Sequence, residues 1–177
     1  MIVYWHHPPY TDSSHDSDDP SDSNGKLVEM RERFVPLLEA HGVDLQLAGH
    51  SHSYERSILL DGHHGFSSSY DPGLHAVDAG DGDPDGDGPY VKPPGRVPHA
   101  GTVYAVVGSS SKNNNELGAH PVMTTGIDYE GSLLVSTLLS FSLLGRSLTT
   151  EGFGDYAGLY SIAAPLITLA STGVALA

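Results

Sequence analysis

The 177-residue chain carries 22 acidic and 8 basic side chains, a formal charge of −14 at pH 7. That balance excludes a basic surface for nucleic acid and repels long polyanions, while a local site can still hold one phosphate group. Cysteine is absent, which rules out disulfides, thiolate catalysis and Cys-type zinc sites, and 21 glycines and 12 prolines beside 38% apolar residues indicate one loop-rich globular domain.

Ile2-Val3-Tyr4-Trp5 reads as a short apolar strand running into His6-His7-Pro8-Pro9-Tyr10, with His15 a little further on. Asp12, Asp16, Asp18, Asp19 and Asp22 then fall among serines and a proline, the composition of a loop. Residues 26–40 set Leu27, Met30, Phe34, Leu37 and Leu38 against Glu29, Arg31, Glu32, Arg33 and Glu39, the period of an amphipathic helix. Ser23, Asn24 and Gly25 supply a cap or turn before it, and Gly42 a stop after it. Residues 43–48 alternate apolar and polar side chains as a strand does, and Gly49 opens a turn into His50-Ser51-His52-Ser53-Tyr54-Glu55-Arg56. Strand, loop, helix, strand favours parallel pairing, with both histidine groups at the carboxyl edge of one sheet, where open α/β sheets hold their sites.

In extended backbone, positions i and i+2 share a side with Cα atoms about 6.5 Å apart, so His50 and His52 are expected to face one cavity. Neutral imidazole there suits zinc, iron or manganese. Residues 78–88 alternate aspartate with glycine, but an EF-hand counted from Asp81 needs glutamate where Lys92 stands, so a solvated surface loop is expected. Residues 101–108 read as a strand and 109–115 as a polar loop, whose Lys112 and Asn113 rank as substrate contacts only behind a plain turn. Residues 133–139 and 141–148 read as a strand pair and 158–162 as a last strand. The apolar tail at 163–177, broken by Pro165 and Gly173, falls short of the roughly 20 apolar residues that span a bilayer. His63, His64, His75, His99 and His120 fall in loops and are expected to be exposed.

The two histidine blocks, W-H-H-P-P-Y with His15 and G-H-x-H-x-Y-E-R, resemble those of the calcineurin-like metallophosphoesterases, and most of all the purple acid phosphatase branch. Fainter similarity continues through residues 101–109 and 131–134. The resemblance implies an α/β fold, the C-terminal part of a metallophosphoesterase-type β-sandwich flanked by helices and incomplete at its N-terminus, over residues 1–162. It implies a binuclear centre of iron, zinc or manganese in which His6 and His50 bind one metal and His52 the other. His15 matches a histidine beside the substrate phosphate that protonates the leaving group, whereas His7 falls where the family varies and is given no ligand role. Tyr54, Glu55 and Arg56 are expected to hold the loop, with Glu55 also placed to accept from a ligand imidazole. A small phosphoester is the implied substrate, and export to a periplasmic or extracellular setting the implied location.

The family's D-x-H, G-D-x-x-D and G-N-H-[DE] motifs do not occur upstream of these blocks, so the missing N-terminal half of the domain is expected to supply carboxylate ligands. Two divalent ions roughly 4 Å apart repel by about 17 kcal/mol at an effective dielectric near 20, which neutral imidazoles do not offset. The chain is therefore expected to hold one metal and to turn over weakly or not at all. The alternative is a metal-binding remnant or accessory domain without catalysis. The metallo-β-lactamase pattern H-x-H-x-D-H is contradicted by Tyr54 and Glu55.

Overall fold

Strands β1 (Ile2–Tyr4), β2 (Leu45–Ala48), β3 (Tyr54–Ser57), β4 (Leu59–Leu60), β5 (Ala76–Asp78), β6 (Val103–Val107) and β7 (Met123–Ile127) carry the fold in the computed structural model. Residues 1–109 and 117–127 are described, all within a compact unit, Met1–Ser132. The strands expected at 133–162, the tail, the boundary at 162, Lys112 and Asn113 lie outside the described residues.

Five strands form one mixed sheet in the order β1-β2-β6-β3-β7, and β4 and β5 form a separate antiparallel pair, so the architecture is mixed α/β. The expected parallel pairing of the first two strands is present, with Ile2 opposite Leu45 and Tyr4 opposite Leu47. β6 lies parallel on the other flank of β2, and β3 runs antiparallel between β6 and β7. Because β6 separates β2 from β3, residues 49–53 must cross the carboxyl end of β6. That crossing places the second histidine motif on the edge of the sheet.

The segment expected as one helix over 26–40 is instead a 3-10 turn (Asp22–Gly25), α1 (Lys26–Glu29), a π-helical turn (Met30–Phe34) and α2 (Val35–Ala40). Its buried side is Leu27, Arg31, Val35 and Glu39, while Phe34 and Leu37 are 41% and 55% exposed. A spacing of four outruns the 3.6-residue period, and the wider i→i+5 turn brings these positions back into phase. The buried Arg31 is satisfied in part by donating from Nη1 to the carbonyl of Ser17 at 2.9 Å, and its guanidinium sits 5.2 Å over the Phe66 ring. It thereby ties the helix to the loop that carries His15.

Tyr10, Val35, Ile58, Leu60, Tyr104 and Val122 form the core cluster. His63 and His120, expected in the solvent, are buried there, with ring centroids 6.0 and 5.6 Å from Tyr10. His64 and His75 are partly buried, and His99 is exposed as expected. Neutral imidazole is flat, and it enters the aromatic core in two ways: His63 stacks on Tyr10 with the planes 19° apart, and His120 meets it edge-on at 62°. Residues Asp78, Asp83, Asp85 and Asp87 are exposed, and their loop is folded by aspartate side chains accepting from nearby backbone N–H groups. No helix of the described residues is long and apolar enough to cross a membrane.

Candidate metal centre

The β1 and β2 ladder continues past the strands, with Trp5 N donating to Leu47 O and Gly49 N to His6 O, each at 3.1 Å. His6 and His50 therefore leave the sheet side by side. His50 has φ +69°, and Ser51 N donates across it to Gly49 O at 2.9 Å, a γ-turn in the positive-φ form that is strained for any residue but glycine. In this turn His50 Nδ1 lies 3.1 Å from His6 Nε2. The His7 ring centroid is 4.6 Å from that of His50, and His15 stacks on His50 at 3.9 Å with the planes 21° apart.

Two imidazole nitrogens bound to one ion at about 2.0–2.1 Å stand roughly 2.9–3.4 Å apart for octahedral to tetrahedral angles, so the His6–His50 separation already matches a metal bite. The donor atoms of His6, His7 and His50 lie within 4.8 Å of one another, as do those of His15, Asp22 and His50. Burial, and then the neighbouring His15, His7 and His6, push the His50 imidazole down to about 4. At neutral pH it is uncharged, and no proton competes for its lone pair. His7 is also lowered, by burial first and then by His6.

The far nitrogen of His50 is held too. Nε2 lies 2.6 Å from Ser23 Oγ, which donates its own proton to Asp22 Oδ1 at 2.5 Å. With that hydroxyl proton committed, Ser23 Oγ accepts from His50 Nε2–H, which leaves the Nδ1 lone pair facing His6. Asp22 also takes His15 Nδ1–H and Asp16 N–H, each at 2.9 Å. Burial alone would raise the Asp22 carboxyl, but hydrogen bonds from Ser23, Asp16 and His15 outweigh it and hold the group below the usual carboxylate range. Ser23 and Asn24 reach this place through left-handed backbone, φ +52° and +56°.

A cavity of about 430 Å³ opens beside these groups, lined by His6, His15, Gly49, His50, His52, Val107 and Gly108. His52 forms part of its wall; its backbone N–H donates to Ser14 Oγ at 2.9 Å, and its buried Nδ1 has no partner. Its donor atoms join no metal-binding group of three among the described residues. The structure thus gathers His6, His50 and His15 closely and sets His52 further off in the same cavity wall, its ring 6.5 Å from that of His15. Sequence reasoning passes over His7, Asp22 and Ser23. Consecutive side chains point apart in a strand, but the chain bends at His6-His7 and keeps both rings together, 4.9 Å apart.

Glu55 is buried and binds no imidazole. Its Oε2 accepts from Thr11 Oγ1 at 2.5 Å and Ser53 Oγ at 2.9 Å, and its Oε1 from Asp12 N at 3.0 Å, so it clamps the His15 loop to the start of β3. Burial pushes its carboxyl up, against the pull of those donors. Glu55→Ala would leave Ser53 Oγ–H and Asp12 N–H without an acceptor, Thr11 Oγ1 keeping Ser51 Oγ at 2.7 Å, and is expected to cost about 2–4 kcal/mol in urea unfolding, with Glu55→Gln costing less than half of that. Equal losses in the two variants would show that the carboxyl does not clamp the loops.

No family model matches the chain, and a search of the curated proteins returns no match. The histidine geometry itself carries the functional reading.

Proposed function

We propose that this cluster binds a zinc-, iron- or manganese-class ion and that the protein is a metal-dependent phosphoesterase of the acid-phosphatase kind, slow in turnover. The observation that supports it most is the 3.1 Å His6–His50 nitrogen pair at the carboxyl ends of adjacent parallel strands. A β-sandwich of the metallophosphoesterase type belongs to the same reading.

The donors fit one ion at His6 and His50, with His7 beside them. In the binuclear centre that the resemblance implies, a second ion would take the unpartnered Nδ1 of His52. Among the described residues no carboxylate joins His52 in a metal-binding group, and Asp22 alone joins His50. That shortage is the reason for expecting weak turnover.

A bound ion would polarise a phosphoryl oxygen and acidify a water molecule. His50 presents Nδ1 because Ser23 and Asp22 hold its Nε2–H. Asp22 holds His15 through Nδ1–H, so that the doubly protonated ring, its charge faced by the Asp22 carboxylate, would give the proton on its other nitrogen to the leaving-group oxygen of a small phosphoester and return to the neutral form. The chain's charge of −14 favours such a substrate over a polyanion.

Metal titration followed by hydrolysis of p-nitrophenyl phosphate tests the reading. One equivalent of zinc or manganese is expected to bind at His6 and His50, with a loss of at least about 100-fold in its affinity for His50→Ala. Unchanged affinity at that site in the variant would overturn it. A second reading, metal binding without turnover, is favoured by the carboxylate shortage; full occupancy with no hydrolysis above background would select it.

A further inference from the structure

A second group of donors stands at the opposite end of the same strands. Glu39 closes α2, Asp61 follows β4, and His99 precedes β6, so the three come from the amino-terminal side of the sheet, away from the histidine cluster. Their donor atoms lie within 4.8 Å of one another. His99 Nδ1 is 3.1 Å from Asp61 Oδ1, a nitrogen–oxygen separation that again fits the bite of one ion.

Several features hold this arrangement. His99 has φ +58°, and its backbone N–H donates to the Glu39 carbonyl at 2.9 Å. Gly42, at φ +63°, admits the chain at Val97, whose backbone nitrogen and oxygen would each lie 2.9 Å from a Cβ there. Glu39 is 1% exposed, and its carboxylate is oriented from behind by His64 Nε2 at 2.8 Å and Tyr104 OH at 3.3 Å. Outer-sphere contacts of this kind point a ligand carboxylate at its ion.

Charge supplies the remaining argument. Among the described residues neither Glu39 nor Asp61 pairs with a lysine or arginine; their partners are His64 and His99. Two carboxylates that converge without a fixed cation repel one another, and a divalent ion removes that repulsion. Asp61 and His99 remain open to solvent, which gives an ion a way in.

We propose that Glu39, Asp61 and His99 form a second divalent-metal site of the zinc or manganese class, a mixed carboxylate–imidazole set that fastens the loop before β6 to the end of α2. The proposal does not rest on the phosphoesterase reading. Zinc titrated into the full chain carrying His6→Ala and His50→Ala is expected to bind with one equivalent at micromolar affinity and to raise the melting temperature. Adding Asp61→Asn and His99→Asn should weaken that binding at least 30-fold and abolish the zinc-dependent melting shift, asparagine being chosen because it tolerates the left-handed backbone at 99.

Absence of submicromolar-to-micromolar zinc binding in the first variant would overturn the site, as would retention of binding after the second pair of changes. Should the first variant fail to fold, Asp61→Asn and His99→Asn in the otherwise native chain must remove one equivalent from the zinc that the native chain binds, whether or not a His50-dependent equivalent is present. A full complement of zinc there would equally refute the site.

Discussion

Acidification from pH 7 to pH 4 is expected to cost the fold about 3 kcal/mol for each of two buried histidines, His63 and His120. Both rings are held down to about 4. Burial is the main cause for each; His75 and Arg31 add to it for His63, and for His120 the opposing pull of Asp18 is too small to restore the usual value. The folded value lies below the unfolded one, near 6.5, so the unfolded chain takes up protons first as pH falls. Stability is full above about 6.5, declines between 6.5 and 4, and for these groups is level below 4. Asp18, Asp22 and Asp44, all held below their usual range, push in the same direction at still lower pH. Glu55, raised by burial, acts in the opposite sense. Neither histidine has a partner on Nε2, so protonation finds no acceptor waiting. Urea unfolding with a chelator present at pH 7, 5.5 and 4.5 measures the slope. His120→Asn keeps an acceptor for Val122 N–H, now made to His120 Nδ1 at 3.4 Å, and should remove close to half of the share of the decline that His63 and His120 cause, His50 and His7 adding a further share of their own. Equal stability at pH 7 and 4.5 would contradict burial of the neutral rings.

Periodicity made the first strand, the second strand and their shared edge readable, because a half-buried strand repeats every two residues whatever surrounds it. The same reasoning misassigned the helix face. Arg31 and Glu39 look like solvent positions, yet each is buried against distant partners: Ser17 and Phe66 for the arginine, His64 and Tyr104 for the glutamate. Tertiary pairing of that sort leaves no local trace. The motif residues divide in a similar way. His50 reaches the centre, whereas Tyr54 and Glu55 are buried at the start of β3 and serve packing and loop attachment. Asp22 and Ser23 were illegible as site residues because they arrive through three consecutive left-handed residues, Ser23, Asn24 and Gly25, that fold a serine-rich loop back on His50. His63 and His120 are illegible as core because Tyr10, on which His63 stacks and which His120 meets edge-on, is far away in the chain.

Gly108→Ala is expected to damage the centre more than any change to the glycine inside its motif. Gly108 follows β6 directly beneath the 49–53 crossing, with its N–H donating to Ser53 O at 3.0 Å. A Cβ there would lie 1.8 Å from the carbonyl oxygen of Ser51 and 2.9 Å from its carbon. No rotamer relieves an overlap with backbone, so residue 51 must move, and its neighbours on either side are His50 and His52. Overpacking of this kind costs about 3 kcal/mol or more. Displacing one ligand of a 3.1 Å nitrogen pair should also lower metal affinity at least tenfold. Gly49→Ala is the informative contrast: a Cβ there meets nothing nearer than His6 Nδ1 at 3.8 Å, an ordinary contact, and its φ is not in the left-handed region. That variant should unfold within about 1 kcal/mol of the native chain and keep its metal. Thermal unfolding and zinc titration of the two variants in parallel decide the matter. If Gly49→Ala proves the more harmful, the centre is held by its own turn; if Gly108→Ala does, it is held by the strand that the turn must cross.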